Sequence, residues 1–177
     1  IAIGIQLNIP IIKIKKTLKS FTGIQRRFQE VGSFKDTCII DDYGHHPVEI
    51  SSALAAARLI TPKHKIISIF QPHRYSRLRD LFDDFCSCFN DADHVLLLDV
   101  FSAGEKPITN FKSTNLEVGL SNYGHKNVLY IKDQKTLVRT LLKLAKPNDL
   151  IICLGAGSIT KIANKLEDDL YYECKSI

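Results

Sequence analysis

From Thr37 onward, short runs of consecutive apolar residues alternate with longer amphipathic stretches. The runs fall at Thr37 to Asp41, Lys65 to Phe70, His94 to Val100, Asn127 to Ile131 and Asp149 to Leu154. They are continuously apolar rather than alternating, as strands covered on both faces require. Between them, Ile50, Ala53, Leu54 and Ala57 recur at helical spacing, as do Leu78, Leu81, Phe82 and Phe85, so each set predicts a helix with one buried stripe. Leu137, Val138, Leu141 and Ala145 predict a third helix capped by Asp133, and Ile159, Ile162, Ala163, Leu166 and Leu170 predict a last one. A weaker helix covers Thr114 to Leu120. Repeated βα units of this kind predict an α/β fold: an open, mostly parallel sheet with helices on both faces.

The beginning of the chain reads differently. Gln25 to Val31 has too few apolar residues for a buried strand and is placed as an edge strand, antiparallel to the rest. Pro10 opens a helix with Ile11, Ile14, Leu18 and Phe21 on one face. Ile1, Ile3, Ile5, Leu7 and Ile9 alternate with period two, which by pattern alone says strand.

Composition narrows the function. At 177 residues, 45% hydrophobic and 24% charged, the chain is neither disordered nor collagen-like. No apolar run approaches the roughly 20 residues of a membrane-spanning helix. The net charge of +5 is dispersed, with no Lys/Arg tract of five, which disfavours a nucleic-acid surface and favours small anions. Five cysteines, odd in number and partly within apolar runs, suggest reduced thiols in a cytosolic protein. Without a single methionine, Ile1 reads as a cut end inside a longer chain.

In an open parallel sheet, ligands bind outside the carboxyl ends of the strands. The residues just after the apolar runs are unusually polar: Asp41 to Pro47, Gln71 to Arg77, Ser102 to Glu105 and Gly155 to Ser158. Asp42 and Tyr43 pair a carboxylate suited to ribose hydroxyls with a ring able to stack on a base. The plainer alternative is that Asp41 and Asp42 end a strand and cap the helix starting at Pro47. His45 and His46 with His73 invite a metal reading, disfavoured because neighbouring ring planes rarely converge and no further ligand completes the set. His73, Arg74 and Arg77 gather cations at a helix start, where a carboxylate or phosphate would be held. The alternative is a solvated basic turn. It is weakened because arginine there opposes the helix dipole unless an anion compensates. Arg26 and Arg27 could reach across a cleft to a phosphate, or simply charge an exposed edge. Gly155-Ala156-Gly157 reads as a tight turn rather than a dinucleotide fingerprint, and the chain has no GxxxxGK[ST] loop to cradle ATP.

The ordered motifs Phe21-Thr22-Gly23-Ile24-Gln25-Arg26-Arg27-Phe28, Asp41-Asp42-Tyr43-Gly44-His45-His46-Pro47-Val48-Glu49 and Phe70-Gln71-Pro72-His73-Arg74-Tyr75-Ser76-Arg77 resemble the Mur ligases, as do Ala103 to Ile108 and Leu154 to Ile159. The resemblance spans nearly the whole chain. It implies that residues 1 to 20 are the helical tail of a central ATPase domain, overriding the period-two strand reading. Residues 21 to 177 would be a C-terminal Rossmann-like ligase domain, with the hinge near Phe21 to Gly23.

The implied activity belongs to a longer, cytoplasmic bacterial enzyme of peptidoglycan precursor synthesis. ATP phosphorylates the lactyl carboxylate of UDP-N-acetylmuramate, and the amine of L-alanine attacks the acyl phosphate. Arg27 would be catalytic and approach the ATP phosphates, with Asp42, Tyr43 and His45 also at the nucleotide. His73, Arg74 and Arg77 would hold the L-alanine carboxylate. Mg²⁺ and the phosphate loop would come mainly from the central domain, leaving no metal site here and this chain inactive by itself. Neither nucleic acid nor membrane is an expected partner. Arg77-Leu78 and Phe101-Ser102 depart from the usual family residues without touching a proposed ligand. Two other readings are a murein-tripeptide recycling ligase, against which Gln71-Pro72-His73-Arg74 decides, and a non-catalytic nucleotide-binding module.

Overall fold

A computed structural model describes residues 1–21 and 23–176; residue 22, within the expected hinge, and residue 177 lie outside the described residues. The strands are β1 (Gln29–Phe34), β2 (Thr37–Asp42), β3 (Ile66–Phe70), β4 (His94–Leu97), β5 (Val128–Tyr130) and β6 (Leu150–Leu154). The helices are α1 (Ala2–Gln6), α2 (Ile11–Lys19), α3 (Pro47–Ile60), α4 (Tyr75–Asp80), α5 (Phe82–Ser87), α6 (Ser113–Asn122), α7 (Gln134–Leu144), α8 (Ile159–Ala163) and α9 (Leu166–Ser176).

Every residue of β3 and β6 is buried, as their unbroken apolar runs demand. They lie at the centre of one sheet of order β1-β2-β6-β3-β4-β5, in which only the β1–β2 pair is antiparallel. Period-two pleating sends alternate side chains to two cores. Ile40, Ile66, Phe70, Ile152 and Leu154 pack with Ile50 and Leu54 of α3 and with Phe85 of α5. Ile39, Ile67, Ile69 and Ile151 pack on the other face with Leu137 and Leu141 of α7, Ile159 of α8 and Leu166 and Leu170 of α9. The α/β class, the covered parallel sheet and the antiparallel edge strand all stand as the sequence implies.

Several boundaries move. The edge strand occupies 29–34 rather than 25–31, because Arg26 and Phe28 take left-handed φ values of 57° and 46° and turn the chain before it pairs. Lys35 and Asp36, at φ 47° and 64°, make the two-residue hairpin that joins β1 to β2. The stripe from Leu78 to Phe85 belongs to two short helices, interrupted at Leu81 (φ −122°, ψ 27°), yet Leu78 and Phe85 stay buried. The last predicted helix also divides, into α8 and α9. Asp133 caps α7 as expected, accepting from the Thr136 backbone N–H at 2.8 Å. Residues 2–6 are helical despite their alternation, and neither α1 nor α2 buries a side chain. Among the described residues no helix is long and apolar enough to cross a membrane.

Candidate functional site

Because β2, β3, β4 and β6 run parallel, their carboxyl ends and the polar segments after them share one edge of the sheet. Asp42, the last residue of β2, directs its two oxygens at backbone: Oδ2 accepts from Phe28 N–H and Oδ1 from Gly44 N–H, each at 2.7 Å. Neither aspartate caps α3. Its N-cap is His46, and Glu49 Oε2 accepts from the backbone N–H groups of His45 and His46 at 3.0 and 3.2 Å. Partial burial pulls the Glu49 carboxyl upward, but those N–H groups and the neighbouring His45 and Arg27 hold it below the usual range. Asp42, Tyr43, Gly44, Val48 and Glu49, with exposed Arg27, line a cleft of about 420 Å³. It is wide enough for a small ligand and carries both a cation and a carboxylate.

The two adjacent arginines do different things. Arg26 is turned inward: its Nη2 donates to the Gly155 carbonyl at 2.6 Å and its Nε stands 3.6 Å from Asp41 Oδ2. Its guanidinium also lies 4.7 Å from the centre of the Tyr43 ring, covering one face. The Tyr43 N–H returns a bond to the Arg26 carbonyl at 2.7 Å. With Arg26 fixed at three elements, its neighbour Arg27 is left exposed at the cleft. Which of the pair is the anchor has no signature in the local sequence.

At the end of β3, the His73 backbone bridges to Phe101 and its ring stacks on the Phe101 ring, 5.4 Å centre to centre at 14°. Arg77 Nη1 donates to the His73 carbonyl at 2.9 Å and approaches its ring Nδ1 at 3.1 Å. Burial, then the positive charge of Arg77 and its neighbours, pushes the His73 pKa down, so the ring is neutral at neutral pH. Arg74 stands at φ 71° before α4, half exposed, with Nη1 4.0 Å from Glu105 Oε1. The compensating anion implied at this helix start is the protein's own Glu105, which accepts from both Ser76 N–H and Ser76 hydroxyl. Arg77 itself falls in the last turn of α4, where a cation does not oppose the dipole.

His45 bridges the two groups. Its ring is 5.1 Å from Tyr43 and 5.8 Å from His73, and it is not among the residues lining the cleft. Among the described residues no three His, Cys, Asp or Glu side chains gather to hold a metal ion. All five cysteines are free, and burial pushes the Cys86 thiol up to about 11.

One supporting residue was not anticipated from sequence. Gln71, buried after β3, accepts at Oε1 from Ile159 N–H at 3.0 Å and donates to Ser158 hydroxyl at 3.2 Å, tying the β6 turn to β3. That turn requires glycine. Gly155 has φ 149°, and a Cβ there would lie 2.8 Å from the Gln71 carbonyl.

Residues 26–157 match the family described as Mur ligase, glutamate ligase domain. The chain belongs to the Mur ligase family. It is 51% identical over 96% of its length to the UDP-N-acetylmuramate--L-alanine ligase of Parvibaculum lavamentivorans, covering 34% of that relative. The enzyme of the same name from Paramagnetospirillum magneticum is 47% identical over 96% of the chain, which covers 36% of it. Among solved structures, the UDP-N-acetylmuramate-alanine ligase of Thermotoga maritima superposes with a TM-score of 0.76 at 23% identity, over 99% of this chain and 36% of that one. A murein peptide ligase from Psychrobacter arcticus gives 0.66 at 20% identity, over 88% and 32%. The chain therefore spans about a third of the length of these relatives, and it shares their fold. Arg27, Asp42, Tyr43, His45, His73, Arg74 and Arg77 all lie inside the segment that matches the Mur ligase family.

Proposed function

We propose that this chain is the C-terminal domain of an ATP-dependent, cytoplasmic ligase that joins L-alanine to UDP-N-acetylmuramate in peptidoglycan precursor synthesis. Residues 1–20 belong to the tail of a central ATPase domain, and 21–177 form the domain that completes the site. The observation that carries this reading is the pairing, on one sheet edge, of an Arg27/Asp42/Tyr43 cleft with the His73/Arg74/Arg77 cluster. Identity near one half to relatives bearing that name supports it.

The cleft offers the nucleotide of ATP a half-exposed tyrosine ring, while the remaining lone pairs of the backbone-bound Asp42 carboxylate can accept ribose hydroxyls. Arg27 is a permanent cation free to meet phosphate charge supplied across the hinge. Arg74 and Arg77 are the fork-shaped receptors for the amino-acid carboxylate, with neutral His73 setting the floor between them. These are positional and electrostatic contributions, worth most when a second domain closes over them. The magnesium that accompanies ATP in such a ligase would be held mainly by the central ATPase domain.

The test is ADP release by the full-length protein. It should require UDP-N-acetylmuramate and L-alanine together. Equal turnover without either substrate would remove this reading.

A further inference from the structure

The two imidazoles at the site are fixed in opposite tautomers by what they touch. His45 Nδ1 lies 3.0 Å from the Tyr43 carbonyl oxygen. A carbonyl can only accept, so Nδ1 carries the hydrogen and Nε2 keeps its lone pair. His73 is the reverse. Its Nδ1 faces the Arg77 guanidinium at 3.1 Å, which can only donate, so Nδ1 accepts and the hydrogen is on Nε2. Of two rings 5.8 Å apart, the unprotonated nitrogen of His73 is taken by Arg77, whereas that of His45 has no hydrogen-bond partner among the described residues.

The ligase reading creates a need for such a nitrogen. An amino acid arrives at neutral pH with its amine protonated, and an ammonium has no lone pair with which to attack an acyl phosphate. The carboxylate receptors Arg74 and Arg77 cannot take a proton, and His73 already carries its hydrogen on Nε2 while its Nδ1 lone pair faces Arg77. We infer that His45 Nε2 is the general base that takes the proton from the ammonium of the amino acid held by His73, Arg74 and Arg77.

In this step an ammonium N–H bond breaks, its electron pair stays on nitrogen, and the proton forms a new bond to Nε2. The freed pair forms the C–N bond at the acyl carbon. The C–O bond to phosphate then breaks with its pair on the leaving phosphate, which carries away the second amine proton. The imidazolium left behind is accommodated. Glu49 on α3 places Oε2 3.5 Å from Nδ1 and is ionised at neutral pH. His73, being neutral, adds no charge against it. His45 thereby acts on the amino-acid side of the site rather than at the nucleotide.

This inference rests on the ligase reading, and the test separates the two. In the full-length enzyme, His45→Gln should lower kcat with L-alanine by about 10²-fold or more, the usual worth of a positioned base. Hydroxylamine is already unprotonated at neutral pH and traps the acyl phosphate as a hydroxamate without needing a base. The ratio of hydroxamate formation to L-alanine turnover should therefore rise sharply in the variant. The fall of wild-type kcat/KM for L-alanine at low pH should also flatten. Parallel loss of both reactions, or unchanged L-alanine turnover, would overturn the base assignment while leaving the ligase reading in place. Should His45→Gln fail to fold, His45→Ala supplied with imidazole carries the same test: restored L-alanine turnover supports the assignment and no restoration overturns it. A wild-type enzyme with no L-alanine-dependent turnover would remove the ligase reading, and the inference with it.

Discussion

Glu105 grips Ser76 at two points, accepting its backbone N–H at 2.9 Å and its hydroxyl at 2.6 Å. The contact ties the loop after β4 to the first turn of α4 and sets a carboxylate beside Arg74. Both Ser76 bonds hold the Glu105 carboxyl below its usual 4.5. A depressed carboxylate contributes stability that is present above the unfolded value and lost as pH falls through the folded one. Glu105→Gln should therefore lower Tm at neutral pH, and the gap from wild type should close as the solution is acidified below about pH 4.5. Thermal melts across that range check it.

Arg77→Ala should remove the donor to both the His73 carbonyl and ring. The expected cost is about 1–2 kcal/mol, from one or two hydrogen bonds at the edge of the core. From sequence alone, an arginine at a helix start would be expected to cost nothing when removed. The structure instead puts Arg77 in the last turn of the short α4, where removing a cation relieves no opposing dipole. The same variant should raise the His73 pKa, since Arg77 is the second cause after burial of its depression. An imidazole titration followed by NMR would show this.

Arg26→Met should leave Asp41, 1% exposed, with Thr160 as its remaining partner at 2.6 Å. Loss of the Gly155 bond and of that nearby cation should cost about 2–3 kcal/mol. The uncovered Tyr43 ring and released strand-end loop should also weaken ATP binding by the full-length enzyme. Denaturant melts and ATP KM together distinguish this from a surface residue, which would move neither.

What sequence could and could not reveal follows from range. The strands of 37–42, 66–70 and 150–154 are legible because burial on both faces leaves continuous apolar runs, a purely local signature. The clustering of 42–46 with 71–77 is legible too, because strand polarity brings strand ends together. Which arginine of Arg26-Arg27 turns inward depends on Asp41, Tyr43 and Gly155, and so on pairing between distant strands. Gln71 looks like any polar loop residue until Ser158 and Ile159 arrive from β6. His45 reads as a nucleotide neighbour by adjacency to Tyr43, whose ring it does meet at 5.1 Å; its other neighbour, His73 at 5.8 Å, comes from a different strand end and has no local signature.

Gly157→Ala tests the floor of the site. Its Cβ would meet Gln71 Oε1 and the Phe101 ring, each at 2.6 Å. Displacing Phe101 also displaces His73, which stacks on it. The expected outcome is a loss of about 1–3 kcal/mol from overpacking, with a rise in KM for L-alanine larger than that for ATP. Equal changes in both would place the damage elsewhere.

The claim at the centre is that Arg74 and Arg77 receive the amino-acid carboxylate. Arg74→Lys keeps the charge and discards the planar fork. Steady-state kinetics of this variant in the full-length enzyme should show kcat/KM for L-alanine reduced by roughly 10- to 150-fold, the worth of one charge-assisted bond, with KM for ATP nearly unchanged. L-alanine kinetics indistinguishable from wild type, or an equal loss toward every substrate, would contradict it.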